Sequence, residues 1–99
     1  MAIIELHPDA KNELREAIAW HDGEGAGVGG GEFESEVNRC LALIAEAPER
    51  WSVYLVLRRA KRWVRRYVMQ EYPYALYYFV AGDIVTVVAV MHTSRRPNY

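Results

Sequence analysis

Arg62-Trp-Val-Arg-Arg-Tyr-Val-Met69, Ala75-Leu-Tyr-Tyr-Phe-Val80 and Ile84-Val-Thr-Val-Val-Ala-Val-Met91 follow one another closely in the second half of the chain. All three are rich in β-branched and aromatic residues, the types that suit a pleated, half-buried surface. Tyr72-Pro73 breaks the chain after the first run, and Gly82-Asp83 makes a tight turn between the second and third. The pattern predicts three successive strands. The last run is apolar at every position except Thr86, so it belongs in the middle of a sheet with both faces covered.

Toward the N-terminus, Ala2-Ile-Ile-Glu-Leu-His7 is a short, β-compatible stretch that stops at Pro8. Pro8 fits the first turn of a helix, and Asp9 and Glu13 suit its electropositive start. Ala10, Leu14, Ala17 and Ile18 then make an apolar stripe through about Trp20. Residues 22–31 hold six glycines in ten, which no helix survives, so they read as a flexible link. Phe33, Val37, Cys40, Leu41 and Ile44 mark a second amphipathic helix that ends before Pro48. Two helices so joined predict an antiparallel hairpin. Trp51 to Lys61 admits three readings: a strand, a helical turn, or a loop over the core. The expected fold is α+β in the order β-α-α-β-β-β, a single domain over residues 1–99. Its helical hairpin packs on one face of a mainly antiparallel sheet, and the other face must be covered or functional.

The length of 99 residues is one domain's worth. With 52% apolar and 25% charged residues, the composition excludes disordered, collagenous and low-complexity classes. A lone cysteine excludes an internal disulfide, and Cys40 sits among helix-core residues, which gives it a packing role. No apolar run approaches the about 20 residues of a bilayer span, and the N-terminus carries no signal-peptide pattern. The expectation is a soluble, cytoplasmic protein without membrane contact. The net charge of −1 conceals an asymmetry: residues 1–50 hold four Lys/Arg against eleven Asp/Glu, residues 51–99 eight against two. The basic half points toward an anionic partner, set against the plainer reading of two complementary solvated faces.

Gly25-x-Gly27-x-x-Gly30 matches the dinucleotide fingerprint formally, but a helix and not a strand precedes it, so phosphate-cradling is rejected. His7, His21 and His92 are scattered and one cysteine cannot supply zinc spacing, so neither metal nor cofactor is implied. His21 suits the negative end of the first helix as a cation. Arg58, Arg59, Lys61, Arg62, Arg65 and Arg66 crowd together, and Tyr67, Tyr72, Tyr74, Tyr77 and Tyr78 follow. Guanidinium groups pair with phosphate and tyrosines stack on bases, although about half of these tyrosines are expected in the core. In a strand Arg65 and Arg66 point to opposite faces, so only one serves a given site. The tail gathers His92, Arg95, Arg96 and Tyr99. Histidine moves protons near neutral pH, arginine stabilises a pentavalent phosphate, and tyrosine serves as acid or stacking surface, which is compatible with metal-independent RNA cleavage.

The whole pattern resembles the RelE/ParE superfamily of toxins. His7-Pro-Asp-Ala-Lys-Asn-Glu-Leu14 with Ala17 and Trp20 looks like their first helix, and Phe33-x-x-x-Val37 with Ile44-Ala-Glu-Ala-Pro-Glu-Arg-Trp51 like the second and its exit. Arg65-Arg66, Tyr72-Pro-Tyr74, Tyr77-Tyr78 and the segment Val88 to Tyr99 resemble the strand–turn–strand, closing strand and tail. The Tyr-Pro-Tyr turn and His92-x-x-Arg-Arg-Pro97 look more like the ParE-like branch. The resemblance implies a toxin of a type II toxin–antitoxin pair, active in growth arrest and plasmid stabilisation. The resemblance further implies neutralisation by a cognate antitoxin in a hetero-oligomer and DNA gyrase as target, with Arg65, Arg66 and Arg96 carried over to the target-binding surface, to which the basic run adds Arg62. The RelE-like alternative is a ribosome-dependent mRNA endoribonuclease using His92, Arg95 and Tyr99. A third is an inactive relative that only binds its antitoxin.

Overall fold

The computed structural model describes residues 1–23, 31–57 and 62–94. The first strand, β1 (Ile3–Leu6), leads directly into α1 (Pro8–Asp22). His7 is the hinge between them: its backbone is extended, and its Nδ1 accepts the Asp9 N–H at 3.1 Å while Pro8 opens the helix. The second helix, α2 (Glu32–Glu46), is followed by β2 (Val53–Leu57), β3 (Arg62–Val68), β4 (Tyr74–Ala81) and β5 (Ile84–His92).

The connection from α1 to α2 is held by a charge. Gly23 ends α1 at φ 89°, a conformation strained for any side chain, and its N–H returns to the Ala19 carbonyl. Asp22 then reaches the start of α2, where its two carboxylate oxygens accept the N–H groups of Phe33 and Glu34 at 3.0 Å each. The N-cap position of α2 is Gly31, which has no side chain to do this. A Cβ on Gly31 would overlap the Asp22 carboxylate. Asp22 therefore caps a helix that begins ten residues later, with its negative charge at the positive end of the helix dipole.

All five strands form one sheet in the order β1-β5-β4-β3-β2. β1 runs parallel to β5, and the other pairs are antiparallel. The stretch that the sequence left open is an edge strand, β2, paired only with β3 and irregular between Val53 and Leu55. The expected α+β arrangement holds with this fifth strand added. β5 is interior, and Val85, Val87, Val88, Ala89 and Val90 are all buried, as its composition requires.

A bulge divides β5. Tyr78 pairs with Val87 and Tyr77 with Ala89, so Val88 is an extra residue. Before it, Val85 and Val87 face the helices; after it, Val90 does, while Val88, Ala89 and Met91 pack on the opposite face. α1 continues the work of β1 along this edge: His7 N–H donates to the Val87 carbonyl at 2.8 Å, and the Glu13 carboxylate accepts the Val90 N–H at 2.8 Å.

The main core lies between helices and sheet, with Ala10, Ala17, Phe33, Val37, Cys40, Ile44, Leu76 and Tyr78 at its centre. Cys40 is buried there as expected, and burial pushes its thiol pKa up. A smaller apolar layer of Val64, Ala75, Tyr77, Val88 and Ala89 lies on the face away from the helices. Among the described residues no helix is long and apolar enough to cross a membrane.

Candidate functional site

Alternation along β3 sorts its arginines between the two faces of the sheet. Arg65 is opposite Tyr78, whose ring is in the helix-side core, and Arg66 is opposite Tyr77, on the far side. The two residues thus point in opposite directions, as their adjacency requires.

Arg65 works as a clamp. Its Nη1 donates to the Trp51 carbonyl at 2.7 Å and to the Glu49 carbonyl at 3.3 Å. Beside it the Tyr78 hydroxyl donates to the Pro48 carbonyl at 2.6 Å. Together they tie the exit of α2 to the sheet. Burial pushes the Tyr78 phenol up to about 12, with the Arg65 charge acting the other way. Next to Arg65, Trp63 is 66% exposed, and the two residues line a shallow groove of about 490 Å³ at the sheet edge with Glu49, Val53, Arg62 and Phe79 among its walls.

On the face away from the helices, Arg62 lies over the Phe79 ring at 4.2 Å, and Arg66 sits 4.7 Å from the Tyr54 ring and 6.0 Å from that of Tyr77. These rings hold the guanidinium groups in place by cation–π attraction without cancelling their charge. Among the described residues neither arginine makes an ion pair, and the buried Arg66 Nε has no hydrogen-bond partner. Burial raises the Tyr77 phenol pKa, and Arg66 opposes that shift. The described strands bring one carboxylate to this face, Glu5 on β1, which registers with Thr86 at the opposite side of the sheet.

His92 is on the other face. It pairs with Tyr74, and their rings meet edge to face at 5.2 Å. Its Nδ1 accepts the Ser94 N–H at 3.2 Å and lies 2.6 Å from the Ser94 hydroxyl. His92 extends an aromatic cluster in which His21 stacks on Phe33 at 4.7 Å, with Tyr72 and Tyr74 edge-on to both. His21 is thus in the last turn of α1, as expected, with its ring against a neighbouring helix. The sheet separates His92 from Arg62 and Arg66. Arg95, Arg96 and Tyr99 lie outside the described residues, as do Arg58, Arg59 and Lys61. No group of three metal-ligating side chains comes together among the described residues.

The sequence reading missed the rings that carry the arginines. Tyr54 lay in the undecided stretch, and Phe79 was read only as a strand residue. The alternation of β3 against β4 was the available signal, since it places Arg66 opposite Tyr77.

Residues 4–97 match the family described as ParE toxin of type II toxin-antitoxin system, parDE. The chain belongs to the ParE toxin family. A chain of the chromosomal ParDE toxin–antitoxin system from P. aeruginosa has the same fold. It superposes with a TM-score of 0.67 at 9% identity, covering 95% of this chain and 98% of that one. No curated protein matches the chain in sequence. The ParE-like branch, expected from the Tyr-Pro-Tyr turn and the tail, is the one that the family match supports. The protein is a ParE-type toxin of a type II toxin–antitoxin system, a family whose members pair with an antitoxin.

Proposed function

We propose that this ParE-type toxin arrests growth in the cytoplasm by seating the face of its sheet away from the helices, through Arg62 and Arg66, on an essential macromolecular target. DNA gyrase is the target that the family membership favours. Arg96, outside the described residues, is proposed as a further target contact, and Arg65 contributes indirectly by fixing β3 to the exit of α2. The observation that carries the reading is the pair of aromatic-held arginines, without ion pairs among the described residues, on the sheet face away from the helices. Such a face is electropositive and pre-organised, which favours docking on an anionic surface.

Cleavage of RNA would need a proton-transfer group and phosphate-binding cations around one scissile bond. His92 is across the sheet from Arg62 and Arg66, and Arg65 is engaged by two carbonyls. This division favours a binding toxin over the endoribonuclease with His92, Arg95 and Tyr99.

The test is expression without the antitoxin, followed by parallel measurement of supercoiling by purified gyrase and of transcript integrity in the arrested cells. Arrest with inhibited supercoiling and intact transcripts supports the proposal, with relief by the Arg62→Gln, Arg66→Gln double variant. Cleaved transcripts with unimpaired gyrase refute it, and normal growth with soluble protein leaves the inactive antitoxin-binding relative as the reading.

A further inference from the structure

The sheet splits at Arg65. Among the described residues β3 and β4 pair only over 65–68 and 75–78, although both strands run on past the last pair, Arg65 with Tyr78. Past it, Arg62, Trp63 and Val64 pair with β2, whereas Phe79, Val80 and Ala81 pair with β5. The cause lies at the same level of the sheet. The irregularity of β2 falls between Val53, opposite Arg65, and Leu55, opposite Val64, and such an irregularity bends a strand. Arg65 itself is tied to the Glu49 and Trp51 carbonyls. Val64 is buried at the vertex, and the groove of about 490 Å³ has Arg62 and Trp63 on one side and Phe79, Val80 and Gly82 on the other.

Strand geometry determines what this groove presents. In an antiparallel ladder the N–H and C=O of one residue point the same way, and successive residues alternate. The Met69 N–H donates to the Tyr74 carbonyl at 2.9 Å, which makes Tyr67 with Leu76, and Arg65 with Tyr78, bonded pairs. By the same alternation the main chains of Trp63 and Val80 face each other across the groove, outside that ladder. The lining side chains divide between the faces. Val53, Trp63 and Val80 are on the helix side together with Glu49, while Arg62 covers Phe79 on the other.

We propose that this split is a strand-insertion site, in which a short extended segment of the toxin's target pairs with Trp63 and Val80 together. Side chains of an extended segment alternate between faces, so one residue meets the Arg62 guanidinium and the next meets the Trp63 indole and the Glu49 carboxylate. The complementary pair is an acidic residue beside a lysine or arginine, whose stem lies on the indole and whose cation faces Glu49. The inference rests on the reading of Arg62 as a target contact and adds how the target is held. At about 490 Å³ the groove is on the scale of ligand sites, about 300–1,000 Å³, and takes a few residues. A single-stranded nucleic acid can stack a base on Trp63, but it has no main chain to extend two strands.

Two measurements on the full chain test this. In amide exchange followed by NMR, the Trp63 and Val80 N–H groups should exchange at least tenfold faster than that of Tyr67. Saturation with a hexapeptide of alternating Glu and Lys should slow both at least tenfold. In fluorescence anisotropy at low ionic strength, the labelled hexapeptide should bind at least tenfold more tightly than three other probes. These are its version N-methylated at the central amides, its version with Gln for Glu, and an eight-nucleotide oligothymidylate. Trp63→Ala and Glu49→Gln, both at exposed positions, should each weaken binding at least fivefold with Tm unchanged, and Arg15→Gln should leave it within twofold. Trp63 and Val80 amides already protected in the free chain would show the split closed on itself and overturn the inference. Absence of binding, indifference to N-methylation, or tighter binding of the oligonucleotide overturns it as well. Growth arrest separates it from the reading on which it rests. Arrest lost in the Arg62→Gln, Arg66→Gln variant but full in Trp63→Ala, Glu49→Gln keeps the target surface and rejects the insertion site. Arrest unaffected by either double variant rejects both, and arrest lost in both supports both.

Discussion

Replacing Asp22 by alanine tests the cross-loop cap at the start of α2. The carboxylate satisfies two helix N–H groups at 3.0 Å, Phe33 and Glu34, and sits where the helix dipole favours a negative charge. Loss of an N-terminal cap costs about 1 kcal/mol, and loss of the charge about 0.3–1 kcal/mol. Because two N–H groups lose their acceptor, the sum is about 2 kcal/mol. For a domain of this size 1 kcal/mol moves Tm by about 4–8 °C, so Asp22→Ala should lower it by roughly 10 °C. Gly31→Ala supplies the sharper half of the experiment. The Gly31 φ of −97° suits any residue, so alanine is refused only because its Cβ overlaps the Asp22 carboxylate. In wild type Gly31→Ala should therefore displace the cap and cost about as much as Asp22→Ala, by the same capping argument. In the Asp22→Ala background it should be nearly neutral. Thermal unfolding followed by circular dichroism measures all four corners of this cycle, with Glu71→Ala as an exposed control. Equal cost of Gly31→Ala in both backgrounds, or a Tm change below about 2 °C for Asp22→Ala, would refute the cap.

Arg65→Gln removes a cation that donates to two carbonyls and should destabilise the fold by about 2 kcal/mol, read as a loss of Tm, with faster proteolysis between α2 and β2. Unchanged stability would mean that the clamp is incidental. The Tyr78 phenol, raised to about 12 in the folded chain from an ordinary 10, predicts a specific alkaline weakness. The folded state holds this proton more tightly than the unfolded one, so its stabilising contribution is complete below about pH 10 and is lost as pH rises toward 12. Tyr78→Phe should lower stability at pH 7 by about 1 kcal/mol through the lost bond to the Pro48 carbonyl. It should also flatten the decline in stability between pH 10 and 12, and an equally steep decline in the variant would assign the alkaline transition to other groups.

The elements with strong periodic signals were legible. α1 and α2 announced themselves by their apolar stripes and by Pro8. β5 showed its interior place because seven of the eight residues from Ile84 to Met91 are apolar. β2 was not legible because an edge strand with one partner carries a weak pattern, and the irregularity between Val53 and Leu55 interrupts its alternation. The Asp22 cap was hidden for a different reason: capping rules look for a side chain at the helix boundary, and here it comes from the preceding helix. For the candidate site, the opposite directions of Arg65 and Arg66 followed from strand geometry alone. Their different fates did not, since the carbonyls that hold Arg65 belong to residues 49 and 51 and the rings that hold Arg66 to β2 and β4. The side taken by His92 depended on the bulge, which left no mark in composition.

That single supernumerary residue, Val88, works as a parity setting for the end of the chain. Val88 and Ala89 share one face, so the strand takes two residues to make one alternation and delivers His92 to the helix side; paired regularly with every residue kept, it would carry His92 to the arginine face and withdraw the Val90 N–H from Glu13. Deletion of Val88 is the mild change here, since Ala89 keeps its place opposite Tyr77 and every later side chain keeps its side. The side on which the imidazole emerges is thus decided by how the closing strand is paired, with the helix face as the outcome of the bulge.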